Sequence, residues 1–182
     1  ICIFTKAGQL HTLRVQDQKK KKMRDKGIPI DNISNYDSAR EEIITAVSQS
    51  DLNLYQLMFV TKTAMIKVVD GGEFDVAKKL VAATKLLEQD EVVSVAVLRD
   101  QKTIVLQTEE GFFLRFQIDE IPEKKKAAIG VRGMRLGKKD FIRDVYYLEN
   151  EQEKAIEYNG KQLELSHLKI SGRDTKGTKI RI

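Results

Sequence analysis

The sequence has no tryptophan, one cysteine, two prolines and two histidines in 182 residues. A single thiol, Cys2, excludes a disulfide framework and any cysteine-based zinc site. Set in an apolar run, it reads as a core thiol in a reducing, intracellular compartment. His11 and His167 are too few for most metal chemistry. They are expected in related places of the chain, as surface polar groups or weak phosphate donors. No stretch approaches eighteen uncharged apolar residues, which excludes a membrane-spanning helix. The strand-like run opening at Ile1 does not read as a signal peptide.

What is present is a charged chain with enough apolar residues for a core: 41% are hydrophobic and 32% charged. The net charge of +5 is unevenly placed. Residues 19–26 carry six cations (Lys19, Lys20, Lys21, Lys22, Arg24 and Lys26) against one acid, Asp25. That stretch alone equals the surplus of the whole chain. A local basic loop on a balanced body suits a polyanion partner, although a solvated charge run is the commoner explanation of any single segment.

An internal repeat organises the rest. Residues 3–14, 59–69, 105–116 and 155–165 each read as a short apolar run, a tight turn and an alternating run. The turns contain Gly8, Ala64, Gly111 and Gly160, glycine being the residue that takes a left-handed turn position at little cost. Ala64 breaks that pattern, and its turn is expected to be differently shaped. A second shared element follows each hairpin: Gly27–Ile30, Thr84–Leu87, Gly130–Leu136 and Gly177–Ile180. The first three are followed by further β-rich runs, Glu42–Val47, Val92–Leu98 and Phe141–Leu148, and the fourth meets Ile182.

Thr5, Thr61 and Thr108 lie 56 and 47 residues apart, and Gly111 lies 49 before Gly160. Four units of roughly fifty residues (1–50, 51–99, 100–149 and 150–182), each with about four antiparallel strands, describe an all-β, propeller-like array. Ala77–Leu87, which has some helical character, reads as a variant of the same blade. The whole chain is expected to be one domain, a partial or open disc.

The links inside the units are basic. Lys19–Lys26 occupies the first, Lys78 and Lys79 the second, Lys124, Lys125 and Lys126 the third, and Arg173 and Lys176 the fourth. If the units are related by rotation, equivalent loops fall on one rim and form a basic stripe suited to a curved phosphate backbone.

At this point the residues resemble a known family. Thr108-Glu-Glu-Gly-Phe-Phe-Leu-Arg-Phe116 followed by Ala128-Ile-Gly-Val-Arg-Gly-Met-Arg-Leu-Gly137 resembles a blade of the C-terminal domain of the bacterial gyrase A subunit. Gly172-Arg-Asp-Thr-Lys-Gly-Thr-Lys-Ile180 is similar to the family's Gly-Arg-x-Thr-x-Gly-Val-x-x-Ile, and Lys26–Ile33 to the end of an early blade. The resemblance covers essentially the whole chain, in order, and extends to the corresponding domain of topoisomerase IV. It implies a β-pinwheel whose blades exchange strands. It also implies a basic rim that wraps or bends duplex DNA, and a parent that is an ATP-dependent type IIA topoisomerase. The partners implied are duplex DNA and the catalytic core of the parent chain, with the ATPase B subunit reached through that core. A cytoplasmic, nucleoid-associated protein without a membrane partner is expected, with ATP and magnesium used elsewhere in the parent.

Two departures matter. The gyrase basic box, Gln-Arg-Arg-Gly-Gly-Lys-Gly, would precede the region matching Ile1 and is absent from this sequence; the Gln16–Gly27 tract has another order. This leaves two parents open, gyrase with a box upstream or topoisomerase IV, the second slightly favoured. The chain also lacks the Arg-Tyr dipeptide of the cleavage nucleophile. Tyr146 and Tyr147 alternate in a strand-like run, one expected in the core and one at the surface. Gly172–Lys179 has glycine spacing like a P-loop but transposes the lysine and hydroxyl residue, and a strand follows it. No catalytic or metal residue is therefore assigned, and the chain is expected to perform no chemistry by itself.

The candidate DNA-binding residues are the cations named above, with Arg132, Arg135 and Lys179 from the second shared element. Around Gly130 and Gly133 two readings stay open. In one the glycines only permit close strand approach; in the other they aim Arg132 and Arg135 outward to DNA. The alternative function is a propeller-like protein-interaction scaffold with a basic face.

Overall fold

The computed structural model describes residues 1–149 and 154–181. Its hairpins follow from one recurring turn. Gly8, Ala64 and Gly111 donate their backbone N–H groups to Thr5, Thr61 and Thr108 at 2.9–3.0 Å. Each threonine hydroxyl then accepts the next N–H, from Gln9, Met65 or Phe112, at 3.1–3.3 Å. The repeated threonine thus satisfies the donor that a three-residue hairpin loop leaves over. Gly8, Ala64 and Gly111 all take left-handed backbone, with φ of 73°, 65° and 80°. The turn at Ala64 therefore has the same shape as its relatives, contrary to the sequence expectation. The surrounding hydrogen bonds hold an alanine where glycine is the easier choice. The fourth turn, Asn159–Gly160, is a two-residue loop with both residues at positive φ.

These turns join β1 (Cys2–Thr5) to β2 (Gln9–Thr12), β4 (Gln56–Thr61) to β5 (Met65–Asp70), β8 (Gln101–Thr108) to β9 (Phe112–Gln117), and β12 (Ala155–Tyr158) to β13 (Lys161–Glu164). A longer third strand flanks each of the first three hairpins: β3 (Ile43–Val47), β7 (Val92–Leu98) and β11 (Ile142–Glu149). The other edge is filled by a short strand from the following unit. β6 (Leu80–Ala82) pairs with β2, β10 (Val131–Arg132) with β5, and β14 (Thr178–Lys179) with β9. The result is three four-stranded antiparallel sheets that exchange strands, and a fourth hairpin. Among the described residues no strand of the first sheet pairs with that hairpin, so the disc is open.

Two of the four second shared elements form no strand where the sequence places them. The second lies at Leu80–Ala82 rather than Thr84–Leu87, because Val81 opposite Leu10 is the register mate of Val131 opposite Ile66. That unit has no glycine there to mark it. Gly27–Ile30 forms no strand, and the outer edge of the hairpin before it is taken by β6. The expected boundary at residue 150 and the end at Ile182 lie outside the described residues.

Cores form between neighbouring sheets. Phe4, Leu10, Phe59, Phe74 and Val92 pack between the first and second, and Met58, Ile66, Leu106, Phe116 and Met134 between the second and third. Val105, Phe113, Leu148 and Leu165 close the third against the fourth hairpin. A central strand buried on both faces needs no polar alternation, which is why Leu57–Val60 of β4 and Ile104–Leu106 of β8 are unbroken apolar runs.

The strand β7 packs against both β3 and β11. Val92 N–H bonds to Lys6 O at 2.8 Å, Ile142 N–H to Lys62 O at 2.9 Å, and the Ser94 and Tyr147 hydroxyls meet at 2.9 Å. Tyr146 donates to Gln107 Oε1 at 2.9 Å, and both tyrosines are half-buried, so neither is purely core or purely surface. With β3, β7 and β11 turned inward, the exchanged strands β6, β10 and β14 form the outer edges. None of the helices among the described residues is long and apolar enough to cross a membrane.

Candidate nucleic-acid interface

The cations expected at the rim gather around these outer edges and the loops that feed them. Register fixes their equivalence: Val81, Val131 and Thr178 oppose Leu10, Ile66 and Phe113. Arg132 and Lys179 therefore occupy the same place in the second and third sheets, where the first has Ala82, and Lys79 and Lys176 share a place in the first and third, where the second has Ile129. Lys78, Lys79, Lys176 and Lys179 are all exposed. The backbone before β6 is tied down through its carbonyls, since Thr12 donates its N–H to Lys79 and its hydroxyl to Lys78. Side chains are thereby left for solvent.

Lys176 and Lys179 share one aromatic ring, with their ammonium groups 4.7 and 5.4 Å from the Phe112 centroid. The ring quadrupole holds both cations at one spot. Phe112 is a member of this surface that the basic residues alone do not reveal; its half-exposed place at the start of β9 is the available signal.

Lys124, Lys125 and Lys126 run along β5, where Lys124 N–H bonds to Val68 O at 2.8 Å. Glu73 neutralises part of this loop. It meets the Lys125 ammonium at 3.1 Å and accepts the Lys126 N–H at 2.9 Å, while the Lys126 ammonium donates to the Glu73 carbonyl. The Lys126 N–H and the neighbouring lysines hold the Glu73 carboxyl below its usual range, and Glu73 in turn raises Lys125. The loop's conformation depends on a further lysine below it. Lys67, fully buried on β5, donates to the carbonyls of Lys125, Lys126 and Ala128 at 3.2, 2.7 and 2.6 Å.

Arg115 on β9 does similar work in the next blade, donating to Thr103 Oγ1 and to the carbonyls of Ser166 and Leu168. Both cations interrupt apolar strands, and that interruption is the sequence signal for them.

Arg132, Arg135 and Arg173 converge where the third and fourth units meet. Arg132 binds both oxygens of Asp174, the second at 3.0 Å, and Arg135 Nε lies 3.6 Å from the first. Arg173 donates from its side chain to the Arg132 carbonyl and from its backbone to Glu120. The Arg132 guanidinium holds the Asp174 carboxyl below its usual range. Gly130 and Gly133 both have structural roles here. Gly130 has φ 108°, and a Cβ on it would stand 2.6 Å from Ile66 O; one on Gly133 would press Ile66 and Leu106 at 3.0 and 3.3 Å.

The tract Lys19–Lys22, Arg24 and Lys26 lies in the connection between β2 and β3 and is exposed throughout. A turn at its tip is closed by Asp25 N–H to Lys22 O and by Lys22 N–H to Asp25 Oδ2, at 2.9 and 2.8 Å. At the root of the connection Arg14, Val15, Gln16 and Gln18 line a cleft of about 1120 Å³ together with Asp75–Ala77 and Lys79. The tract thus springs from beside the first outer edge.

The connection is anchored by His11, which is buried and not at the surface as expected. Its Nε2 meets Glu41 at 3.0 Å, and its ring packs edge-on against Tyr36. His167 is exposed, after β13, so the two histidines are unrelated in place. Cys2 is buried and donates to Gln49 Oε1, as a core thiol should.

The family model for the DNA gyrase C-terminal domain, beta-propeller, matches residues 55–99, 102–148 and 159–181. The DNA gyrase A protein of Staphylococcus epidermidis is 27% identical over 98% of the chain. The chain spans about a fifth of that relative's length (21%). The crystal structure of the C-terminal domain of DNA topoisomerase IV aligns with a TM-score of 0.88 and 25% identity, over 98% of this chain and 57% of that one. The DNA gyrase A C-terminal domain aligns with a TM-score of 0.73 and 20% identity, over 97% and 58%.

Proposed function

The chain belongs to the DNA gyrase C-terminal domain family, and from that premise we propose that it binds duplex DNA on its outer edges and bends or wraps it. In this reading it is the accessory domain of an ATP-dependent type IIA topoisomerase, presenting a DNA segment to the catalytic core of its own parent chain. The ATPase B subunit is reached through that core. Cleavage and ATP hydrolysis belong to other parts of the parent, which supply magnesium and ATP. The sixteen candidate cations of the sequence, from Lys19 to Lys179 and without the internally bonded Lys67 and Arg115, are the proposed contacts.

The observation that carries the proposal is the register equivalence of Arg132 with Lys179 and of Lys79 with Lys176. Exchanged strands bring cations to matching outer positions of different blades, Arg132 and Lys179 on the second and third sheets and Lys79 and Lys176 beside the first and third, so phosphates are met at several points along a curved path. Nothing among the described residues resembles a recognition helix for the major groove, so little sequence preference is expected. If roughly 6–10 phosphates are contacted, affinity falls about 10³–10⁵-fold between about 50 and 200 mM salt. A mobility-shift series over that range, on duplexes of increasing length, tests the proposal. A flat salt response overturns it in favour of a protein-binding scaffold.

A further inference from the structure

The arginine fork at the junction of the third and fourth units already holds an anion. Two guanidinium groups, on Arg132 and Arg135, face one carboxylate, on Asp174, and the third arginine, Arg173, stands next to it in sequence. A carboxylate and a phosphate offer paired oxygens to guanidinium in the same planar, forked manner. We propose that Asp174 occupies, in the free protein, the seat of a backbone phosphate between Arg132 and Arg135, and yields it when DNA binds. This inference rests on the DNA-binding reading above.

Three observations support it. The arginine side chains are 57% and 66% exposed and the carboxylate 31%, so the fork opens outward and its anion sits deeper than its cations. The carboxylate is also set in place by the backbone. Asp174 has φ 63°, a left-handed conformation uncommon for residues other than glycine. Its N–H bonds to Gly133 O at 2.8 Å, and Arg135 N–H bonds to Thr175 O at 2.9 Å. Finally, the pairing is incomplete. Arg135 Nε, at 3.6 Å, lies beyond a good hydrogen bond, so a second oxygen-rich anion has donors to recruit. Displacing an internal anion makes the grip at this point weaker and more readily reversed than at Lys19–Lys22, where Asp25 is engaged with backbone.

The competing role for Asp174 is a clamp that joins two units, and substitution separates the two. Asn tolerates the left-handed backbone and keeps the side-chain shape, so Asp174→Asn removes the charge with little strain. Asp174→Gly suits the same backbone and removes the side chain altogether. Affinity for a duplex of fixed length at about 100 mM salt is measured for the original protein, both variants, and each combined with Arg132→Ala and Arg135→Ala. Both single variants are expected to bind about two- to fivefold tighter, the scale of one exposed ion pair displaced. The gain should vanish in the arginine-free background.

Unchanged or weaker binding by both variants overturns the seat and leaves the clamp. A gain that persists without the arginines overturns it as well, since it would report general charge. Failure of the original protein itself to bind DNA is visible in the same series and removes the functional reading along with this one.

Discussion

Lys67 and Ala128 are joined across two units: the buried ammonium of the first donates to the carbonyl of the second at 2.6 Å, alongside the carbonyls of Lys125 and Lys126. A cation hidden inside a strand therefore sets the path of a loop whose own cations face outward.

That arrangement predicts a pH dependence. Burial lowers the Lys67 ammonium from its ordinary 10.5 to about 8, with Glu73 pulling the other way. The unfolded chain then holds this proton more tightly than the folded one, so the group's contribution to stability rises with pH between about 8 and 10.5. Denaturation of the original protein and of Lys67→Met at about pH 7 and pH 9.5 isolates this residue from the other lysines. Relative to the variant, the original should gain roughly 2 kcal/mol between those pH values. A difference that stays flat would mean that the three carbonyls keep the ammonium charged throughout.

Replacing Lys19, Lys20 and Lys21 by alanine should lower the log–log salt slope of DNA binding by about 2–3 units, at roughly 0.9 per phosphate contact. Stability should change by no more than about 0.5 kcal/mol, because these side chains are exposed and the turn at Lys22 and Asp25 remains. An unchanged slope would assign the tract to solvent.

Gly130 and Gly177 are register mates, with φ of 108° and 75°, and a Cβ on either would stand 2.6 Å from the carbonyl of Ile66 or Phe113. Gly130→Ala and Gly177→Ala should each destabilise by about 1–3 kcal/mol. Gly133→Val should cost a similar amount through crowding of Ile66 and Leu106. Thermal melts suffice, and melting temperatures equal to the original's would show that the exchanged strands shift freely.

Much of this fold is legible from the amino acids, and the exceptions share a cause. Threonine and glycine at fixed intervals mark the hairpins because each performs a backbone task that few other residues perform. The exchanged strand supplied by the second unit, β6, begins four residues before its expected place because Leu80 stands where Gly130 and Gly177 stand, and leucine carries no backbone signal. Ala64 departs from expectation because the energy of a turn depends on the hydrogen bonds around it as well as on the residue within it. The basic residues are all visible in the sequence, but their electrostatic partners are not. Glu73 lies 52 residues from Lys125, and Asp174 lies 42 from Arg132, distances that only the folded chain closes. His11 reads as a surface group because nothing in its neighbourhood of sequence announces Glu41.

Strand exchange also decides how the disc carries load. Arg132 hangs on β10, which is hydrogen-bonded to β5 of one unit but covalently continuous with the next. A tug on that side chain is divided between shearing a ladder in one blade and pulling the polypeptide of its neighbour. The same holds for Lys179 on β14. No blade joined in this way can be peeled off by itself, and tension applied at one point on the circumference is handed around it.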